Sequence, residues 1–461
     1  MEEILTKIVA AVNDVLWNKY LLLLILLLGT GVFFTVRTRF VQIRKFGAGM
    51  KLVFGNISLR GKAAGKDGMS SFQALATAIA AQVGTGNIAG CASALVAGGP
   101  GAVFWMWVSA FFGMATIYGE AVLAQKYRKT NEDGSVSGGP VYYIKAAFKG
   151  VFGKIMAGFF AVAIILALGF MGNMVQSNSI GDAFNTAFGV PKIAVGIVVA
   201  AISAFIFLGG VKRIASITEK IVPVMACLYI LGSLVAIGMN AGNILPAFGS
   251  IFVGAFTPKA VMGGVIGVTI KEAIRFGVAR GLFSNEAGMG STPHAHAMAK
   301  VKKPQDQGAV AMVGVFIDTF IVLTMTALVI LTSGALGTKG ADGELLTATG
   351  LAQAAFGKAF GGFGEIFVAI CLLFFAFSTI VGWYFFGESN VKTLFKNNRK
   401  ATAIYGIITV AFIVVGSFQK VNLVWDMSDM FNGLMVIPNL LAVLALSGIV
   451  AKFSKDDHYL G

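Results

Sequence analysis

The residues best suited to binding chemistry lie inside a long apolar stretch. Residues 76–97 are long enough to cross a bilayer, yet six residues with two glycines and three hydrogen-bonding side chains interrupt them: Gln82, Val83, Gly84, Thr85, Gly86 and Asn87. A bilayer core offers no water to free backbone groups, so such an interruption is stable only inside protein or beside a polar cavity. Broken helices of this kind hold substrate and coupling ion in transporters. The pattern predicts a transporter.

If this segment is unwound, its backbone offers both polarities to a ligand. The amides of Thr85, Gly86 and Asn87 would form the positive end of the following half-helix, which suits a carboxylate. The carbonyls of Ala80 and Val83 would remain as oxygen ligands for a cation. A small zwitterion together with Na⁺ fits both polarities, whereas the alternative is a glycine-lined helix crossing that binds nothing.

Polar side chains also lie at membrane depth in two later segments. Asn173 and Gln176 are three residues apart and share one helix face, where an unpaired amide is costly, so they contact either substrate or another helix. Ser378 and Thr379 either bond their own i−4 carbonyls or complete the cation site. Trp383, four residues beyond Thr379, is either a gate below the substrate or an interfacial anchor.

Residues 260–283 form a second unusual apolar segment, because it contains several charges. We expect its pocket-lining break at Phe276 and Gly277. Intramembrane charges are functional hypotheses, but Lys271, Arg275 and Arg280 equally suit a wet cytoplasmic vestibule. Glu272 and Arg275 are spaced to form a pair.

Three more titratable residues follow this segment. Asp318 either neutralises one of the bases or takes part in ion coupling, and we favour the structural pair. His294 and His296 are expected in a cytoplasmic loop, without a third ligand for a metal.

Composition assigns the chain to the membrane class. Of 461 residues, 57% are hydrophobic and 12% are charged, against about 25% charged in soluble domains. Eleven segments approach the length of a membrane span: 19–36, 72–97, 102–125, 153–179, 192–208, 220–239, 260–283, 308–333, 363–386, 402–417 and 423–450. Cys91, Cys227 and Cys371 lie far apart in apolar segments, so we expect free thiols rather than disulfides or a zinc site.

The two interrupted segments stand five spans apart, which implies an inverted repeat because five is odd. The expected fold is therefore all-α, with one extra N-terminal helix and a five-plus-five repeat containing two broken helices. The predicted parts are the extra helix, a basic cytoplasmic loop, the two five-helix repeats and a cytoplasmic tail, in that order: 1–36, 37–70, 71–240, 241–451 and 452–461.

The +15 net charge is mostly topological. Lysine and arginine concentrate in alternate loops, which fits the positive-inside rule with the N-terminus outside and the C-terminus in the cytoplasm. The prediction is therefore a multi-pass protein of the plasma membrane that binds no nucleic acid. The sequence carries no signal for the oligomeric state.

Three motifs resemble the alanine/glycine:cation symporter family, and the likeness covers nearly the whole chain. They are residues 82–89, the GGPGAVFWMW string at 98–107 and GVARGLFSNEAGMGSTPHAHA at 277–297. The resemblance implies the leucine-transporter-like fold and uptake of alanine or glycine driven by Na⁺, or sometimes H⁺, without another cofactor. It also implies that the sodium is surrounded by five residues: Ala80, Val83, Phe375, Ser378 and Thr379.

Alternative functions are weaker on the residues themselves. An ion channel needs a continuous polar pore lining, an enzyme needs a nucleophile with its base, and direct ATP drive needs a motif such as a P-loop; the sequence contains none of these. In proton-coupled relatives of this fold a lysine of the fifth helix can replace the sodium, and residues 221–239 hold no such base. Phe276, Trp383 and Met174 are expected to close the pocket around a small substrate.

Overall fold

The computed structural model describes residues 2–55, 69–131, 135–257, 268–419 and 421–455, and these are mostly helical. Within them, the antiparallel strands Lys129–Thr130 and Val136–Ser137 form one small hairpin. Eight described helices are long and apolar enough to cross a membrane: Glu3–Arg37, Gly101–Tyr127, Gly150–Phe188, Gly210–Met239, Pro304–Thr332, Phe363–Leu394, Arg399–Gly416 and Asn422–Ala445.

A ninth candidate span is the first broken helix, made of Ser71–Gln82 and Gly86–Gly98 with a 46° bend between them. Each of the eleven predicted segments overlaps a helix. However, Lys192–Phe207 and Ile270–Asn285 have 16 residues each, fewer than the roughly 20 that a span requires. Residues 258–267, where one predicted span begins, lie outside the described residues.

Shorter helices connect these elements or flank them: Val41–Arg44, Phe46–Phe54, Pro140–Ala147, Ile244–Phe256, Pro293–Met298, Ala348–Phe360 and Ser447–Ser454. Part of the predicted loop 37–70 is therefore helical, while residues 56–68 and 456–461 lie outside the described residues. A single 3₁₀ turn, Ala241–Asn243, precedes one of these helices.

Four wide, π-helical stretches interrupt the described helices: Asp14–Asn18, Gly86–Gly90, Ile165–Gly172 and Phe316–Leu323. Such stretches often mark functional sites because they displace backbone groups from the regular hydrogen-bond ladder. One contains Asn87, one ends directly before Asn173, and one contains Asp318. The local helix geometry thus singles out the same region as the polar residues.

A capping box begins each of the two interrupted segments. The Ser70 hydroxyl accepts from the Gln73 amide while the Gln73 side chain accepts from the Ser70 amide, and Thr269 forms the same reciprocal pair with Glu272. Two backbone donors at each start are satisfied in this way. Glu272 therefore caps its helix, and the expected ion pair between Glu272 and Arg275 is wrong.

The predicted break at Phe276 and Gly277 is also wrong, because Ile270–Asn285 is one continuous helix. A Cβ at Gly277 would lie 2.5 Å from the Ala102 carbonyl oxygen, so this glycine permits close packing on Gly101–Tyr127. The interruption falls after Asn285, and the chain becomes helical again at Pro293. We call Ile270–Asn285 and Pro293–Met298 the second broken helix.

The tryptophan-rich motif anchors the helix that supports both breaks. A Cβ at Gly101 would lie 2.5 Å from the Ala255 amide nitrogen, so the two backbones are in direct contact. Trp105 donates to the Ala255 carbonyl at 3.3 Å, and Trp107 donates to the Thr324 hydroxyl at 2.8 Å. Gly101–Tyr127 is thereby fixed against two neighbouring helices.

Candidate functional site

The break in the first broken helix lies against the long helix Phe363–Leu394. A Cβ at Gly84 would overlap Thr379 Oγ1 and lie 3.0 Å from Gln176 Oε1. The structure therefore brings together three of the predicted site residues, which are distant in sequence. Gly84 is required by this close approach, because any side chain would displace the Thr379 hydroxyl.

Five oxygens, including the Thr379 hydroxyl, lie together beside the break. They belong to the residues that the family resemblance assigns to sodium. The Thr379 hydroxyl lies 2.8 Å from the Ala80 carbonyl, 3.5 Å from that of Val83 and 3.1 Å from that of Phe375. The Ser378 hydroxyl lies 3.3 Å from the same Ala80 carbonyl and 2.9 Å from Phe375 O. These are hard, uncharged oxygens, the ligand type that suits an alkali cation. Each hydroxyl donates to the Phe375 carbonyl of its own helix and also lies against the Ala80 carbonyl of the first broken helix.

Buried polar atoms beside the break have no protein partner among the described residues. They are Gln82 Oε1, Thr85 Oγ1, Asn173 Oδ1 and Gln176 Nε2. Leaving such atoms unsatisfied costs about 1–3 kcal/mol each, so a cluster of them indicates a place for another polar group. Both donors and acceptors are present, as a zwitterion requires.

The expectation of free amides needs correction. The Thr85 amide donates to Gln176 Oε1 at 3.0 Å, and the Asn87 amide donates to the Gly84 carbonyl at 3.2 Å. Buried amides must find acceptors, and here protein oxygens serve. A substrate carboxylate at Thr85 would take the place of the Gln176 oxygen, which makes Gln176 a direct neighbour of the predicted carboxylate site.

Asp318 forms a polar cluster with the break and does not pair with a base. It accepts from Asn87 Nδ2 at 2.7 Å, from the Ser284 hydroxyl at 3.0 Å and from the Thr319 hydroxyl at 2.8 Å. The favoured structural pair with a lysine or arginine is therefore wrong. A fully buried carboxylate held only by neutral donors retains its demand for a cation or a proton.

The second broken helix unwinds at Glu286, whose backbone is left-handed with φ 58°. The Glu286 carboxylate accepts from the Trp383 indole and from the Ser291 hydroxyl. Glu120 holds the following loop by accepting the amides of Gly288 and Gly290, each at 3.0 Å. Trp383, for which a gate and an interfacial anchor were the alternatives, is therefore tied to the second break. Glu286 and Glu120 are not among the residues predicted from the sequence.

Above the break, a charged and aromatic cap covers the site. Arg280 makes a bidentate ion pair with Asp429, with distances of 2.9 and 2.7 Å. The Arg280 guanidinium lies over the Trp425 ring at 4.5 Å, and Trp425 packs on Phe283 with ring centroids 4.7 Å apart. Arg280 is buried, so the alternative that it lines a wet vestibule does not hold for this residue.

The N-terminal helix contacts the same cap. Trp17 Nε1 donates to the Asp429 carbonyl at 3.1 Å, and Asn13 Nδ2 donates to the Asp426 carbonyl at 2.9 Å. The extra helix thus supports the turn of Val421–Ala445 that carries the Arg280 partner.

We expect Asp429→Asn to lower stability strongly, because it removes the carboxylate that pairs directly with the buried Arg280 charge. Breaking a buried pair in this way costs about 3–5 kcal/mol. The matched control is Asp182→Asn, which breaks the more exposed ion pair with Lys192 and should cost no more than about 1 kcal/mol. Thermal unfolding of the purified proteins measures both; equal losses would contradict the role of burial.

His294 and His296 do not lie in an open loop. Pro293–Met298 is a buried helix, in which His294 Nε2 accepts from Asn390 Nδ2 at 2.8 Å and His296 Nδ1 accepts from Gln307 Nε2 at 2.8 Å. They pack the second broken helix against its neighbours. In the described ranges, no group of three or more His, Cys, Asp or Glu side chains could hold a metal ion.

Comparisons with known proteins identify the family of this chain. The model of the sodium:alanine symporter family matches residues 1–459 of this chain. The chain is 45% identical to the sodium/alanine symporter AgcS of Methanococcus maripaludis, over 97% of this chain and 96% of that protein. The chain belongs to the sodium:alanine symporter family. Proteins of this family are transporters, so the chain is a multi-pass membrane transporter and not an enzyme.

Other relatives of this chain have names that give a different substrate or ion. The probable sodium/glutamine symporter GlnT of Bacillus subtilis is 41% identical over 99% of this chain and 91% of that protein. A putative sodium/proton-dependent alanine carrier of the same organism, YrbD, is 41% identical over 97% and 91%. Membership therefore establishes transport but leaves open which amino acid and which ion.

Solved structures show the fold. The crystal structure of MhsT in complex with L-phenylalanine matches with a TM-score of 0.59 at 15% identity, over 85% of this chain and 98% of that one. A manganese transporter of Eremococcus coleocola matches with a TM-score of 0.51 at 14% identity, over 83% and 78%. The chain thus has the leucine-transporter-like fold expected of the sodium:alanine symporter family.

Phe276 and Met174, which were expected to close the pocket, make the following contacts in the structure. Phe276 carries the Arg275 guanidinium on its ring at 4.1 Å, and Met174 packs against Gly416. Phe283, which the sequence analysis did not single out, lies 3.1 Å from where a Gly86 Cβ would be and 5.6 Å from the Trp383 ring. Phe283 follows Phe276 by seven residues, about two helical turns, so both lie on nearly the same face of Ile270–Asn285. This spacing is the sequence signal that could have indicated Phe283.

We expect Phe283→Ala to admit larger amino acids, because it removes a ring between the break and Trp383. The preference for alanine over leucine, as a ratio of kcat/KM for uptake, should fall at least about tenfold. Phe276→Ala, on the same helix but away from the break, is the control and should leave the ratio unchanged. A change confined to the Phe276 variant would return the pocket to the earlier prediction.

Proposed function

We propose that this chain is a sodium-coupled symporter that imports alanine or glycine by alternating access. The observation that carries the proposal is the meeting of the first broken helix with Thr379, where five neutral oxygens lie beside unpaired polar atoms. Ala80, Val83, Phe375, Ser378 and Thr379 would bind the ion. Three relatives have names that include sodium, and two of those names also include alanine, which supports the same substrate and ion.

The substrate would bind at the unwound segment between the two broken helices. Gly84, Thr85, Gly86 and Asn87 offer its backbone, and Gln82, Asn173 and Gln176 offer side chains with spare hydrogen-bonding atoms. Phe283 and Trp383 would leave room for a small side chain. Phe276 and Gly277 are no longer part of this proposal, since the structure places them in an unbroken helix.

The proposed architecture is an extra N-terminal helix followed by two inverted five-helix repeats, eleven spans in all, in the plasma membrane. We propose the N-terminus outside and the C-terminus in the cytoplasm, in accord with the distribution of basic residues. The ion pair of Arg280 with Asp429 would then close the site toward the outside. Rocking of the repeats would expose the site to each side in turn.

Proton coupling is the second candidate, and Asp318 favours it. Its carboxylate is fully buried, lies beside Asn87 and has no cationic partner among the described side chains. A group in that position can carry a cation or a proton. Sodium remains preferred, because Met225 Sδ and not a lysine contacts Ser378 from the helix Gly210–Met239, at 3.4 Å.

Uptake of labelled alanine into proteoliposomes tests the proposal. An inward Na⁺ gradient should drive accumulation, and replacing Na⁺ with choline should abolish it. Glycine should compete with the label. Uptake that follows a pH gradient without Na⁺ would favour the second candidate and would be expected to disappear in Asp318→Asn. No alanine uptake under either gradient would overturn the substrate assignment.

A further inference from the structure

A cavity lined by cations lies apart from the transport site, at the end of the N-terminal helix. It has a volume of about 640 Å³, and its walls include Val36, Arg37, Arg39, Lys452 and Lys455. Four of these are basic, and no acidic residue lines it within the described chain. We call this the basic cavity. The positive-inside rule explains cations at this membrane face, but it does not explain their grouping around one concave space.

Protein contacts hold the two walls of the basic cavity together. Arg44 donates to the Ser454 carbonyl at 2.7 Å and to the Thr38 carbonyl at 3.2 Å. The chain after the N-terminal helix is thereby joined to the last described helix, Ser447–Ser454. Among the described residues, the four cations lining the cavity form no ion pair with an acid. Their charges are available to an external anion.

An exposed apolar strip leads from the basic cavity along the N-terminal helix. Ile25, Val32 and Val36 are 66%, 43% and 66% exposed. Spacings of seven and eleven residues place all three on nearly the same helix face, and Val36 also lines the cavity. Eleven residues of helix span about 16 Å, close to half of the roughly 30 Å hydrocarbon core.

We propose that the basic cavity binds the phosphate headgroup of an anionic membrane lipid, with one acyl chain along Ile25, Val32 and Val36. Clustered cations at the end of a membrane helix attract anionic headgroups, each contributing about 1 kcal/mol. A free phosphate would use only the cations. The apolar strip, which begins at the cavity and has the length of one leaflet, favours a lipid as the source of the anion.

Lipid binding by the purified full-length protein in detergent tests the proposal, with phosphatidylglycerol and phosphatidylcholine as probes. Bound lipid is counted by native mass spectrometry. A quadruple site variant should bind phosphatidylglycerol at least about tenfold more weakly than the wild type. It carries the substitutions Arg37→Gln, Arg39→Gln, Lys452→Gln and Lys455→Gln. Phosphatidylcholine should bind weakly to both.

The matched control removes four exposed lysines elsewhere: Lys126→Gln, Lys145→Gln, Lys149→Gln and Lys154→Gln. It loses the same charge and should keep the affinity of the wild type. If the quadruple site variant does not elute as a single species, Lys452→Gln with Lys455→Gln alone should still weaken binding at least about threefold. An equal loss in the control, or no loss in either site variant, would overturn the proposal.

Two further measurements separate other occupants. Glycerol 3-phosphate displacing phosphatidylglycerol at equal concentration would identify a site for free anions and refute the lipid. Asp456 and Asp457 follow in the sequence outside the described residues. If they fill the cavity, Asp456→Asn with Asp457→Asn would bind phosphatidylglycerol at least about tenfold more tightly than the wild type, which would also overturn the proposal. No readout depends on transport, so failure here leaves the proposed function untouched.

Discussion

Thr379→Val should raise the Na⁺ concentration for half-maximal alanine uptake at least about tenfold, or abolish uptake, because it removes one neutral oxygen from the proposed ion site. A polar contact to a charged group is worth about 1.5–3 kcal/mol. Among the hydrogen bonds of the described residues, only the Thr379 hydroxyl lies within 3.5 Å of all three carbonyls, those of Ala80, Val83 and Phe375. Valine retains the shape, so the change is chemical rather than steric.

The control for this prediction is Thr409→Val. Thr409 is also buried, and its hydroxyl donates at 2.9 Å to the carbonyl of Tyr405, four residues earlier. Thr409→Val therefore loses the intrahelical hydrogen bond that both threonines make, but it removes no oxygen beside the break. Dose–response curves for Na⁺ in proteoliposomes compare the two variants with the wild type. Normal Na⁺ dependence in Thr379→Val would refute the proposed ion site.

Gly84→Ala should abolish uptake altogether, to less than about 5% of the wild-type rate, because a Cβ there overlaps Thr379 Oγ1 and crowds Gln176 Oε1. One methyl group would disturb the ion site and the substrate site together. Overpacking of this kind costs about 1–3 kcal/mol, so the protein should still fold.

Gly238→Ala is the corresponding control, since a Cβ at Gly238 meets nothing within 4 Å. It lies in the helix Gly210–Met239, where alanine is favoured over glycine by about 1 kcal/mol. Uptake and thermal stability should be equal to or above those of the wild type. Full activity of Gly84→Ala would show that the break tolerates a side chain and would remove it from the site.

The first break was predictable because its chemistry is local. Glycines and polar side chains within an apolar stretch conflict with lipid, and they do so wherever the rest of the chain lies. The structure confirms this prediction with a bend after Gln82. The second break was misplaced for a related reason. Gly277 also suits a break, but its lack of a side chain serves a helix contact with Ala102 that only the folded chain reveals.

Charge partners were the least predictable part of the site. Glu272 was expected to pair with Arg275 by spacing, yet it caps its own helix at Thr269. Arg280 finds Asp429, which is 149 residues away, and Asp318 finds Asn87, which is 231 residues away. Helix spacing describes neighbours on one helix only, so it carries no information about partners from other helices.

The sequence by itself determined that this is a polytopic membrane transporter. Composition and span length follow from the requirements of the bilayer, and the motifs are those of the family. The sequence also indicated Gln82–Asn87, Asn173, Gln176 and Thr379 as polar residues that lipid would not tolerate. Only the tertiary structure decided which of them meet, that Phe283 lies beside Gly86 and Trp383, and which side chains contact the buried Arg280 and Asp318. Those outcomes follow from packing between helices, because side chains brought within a few ångströms must satisfy one another once water is excluded.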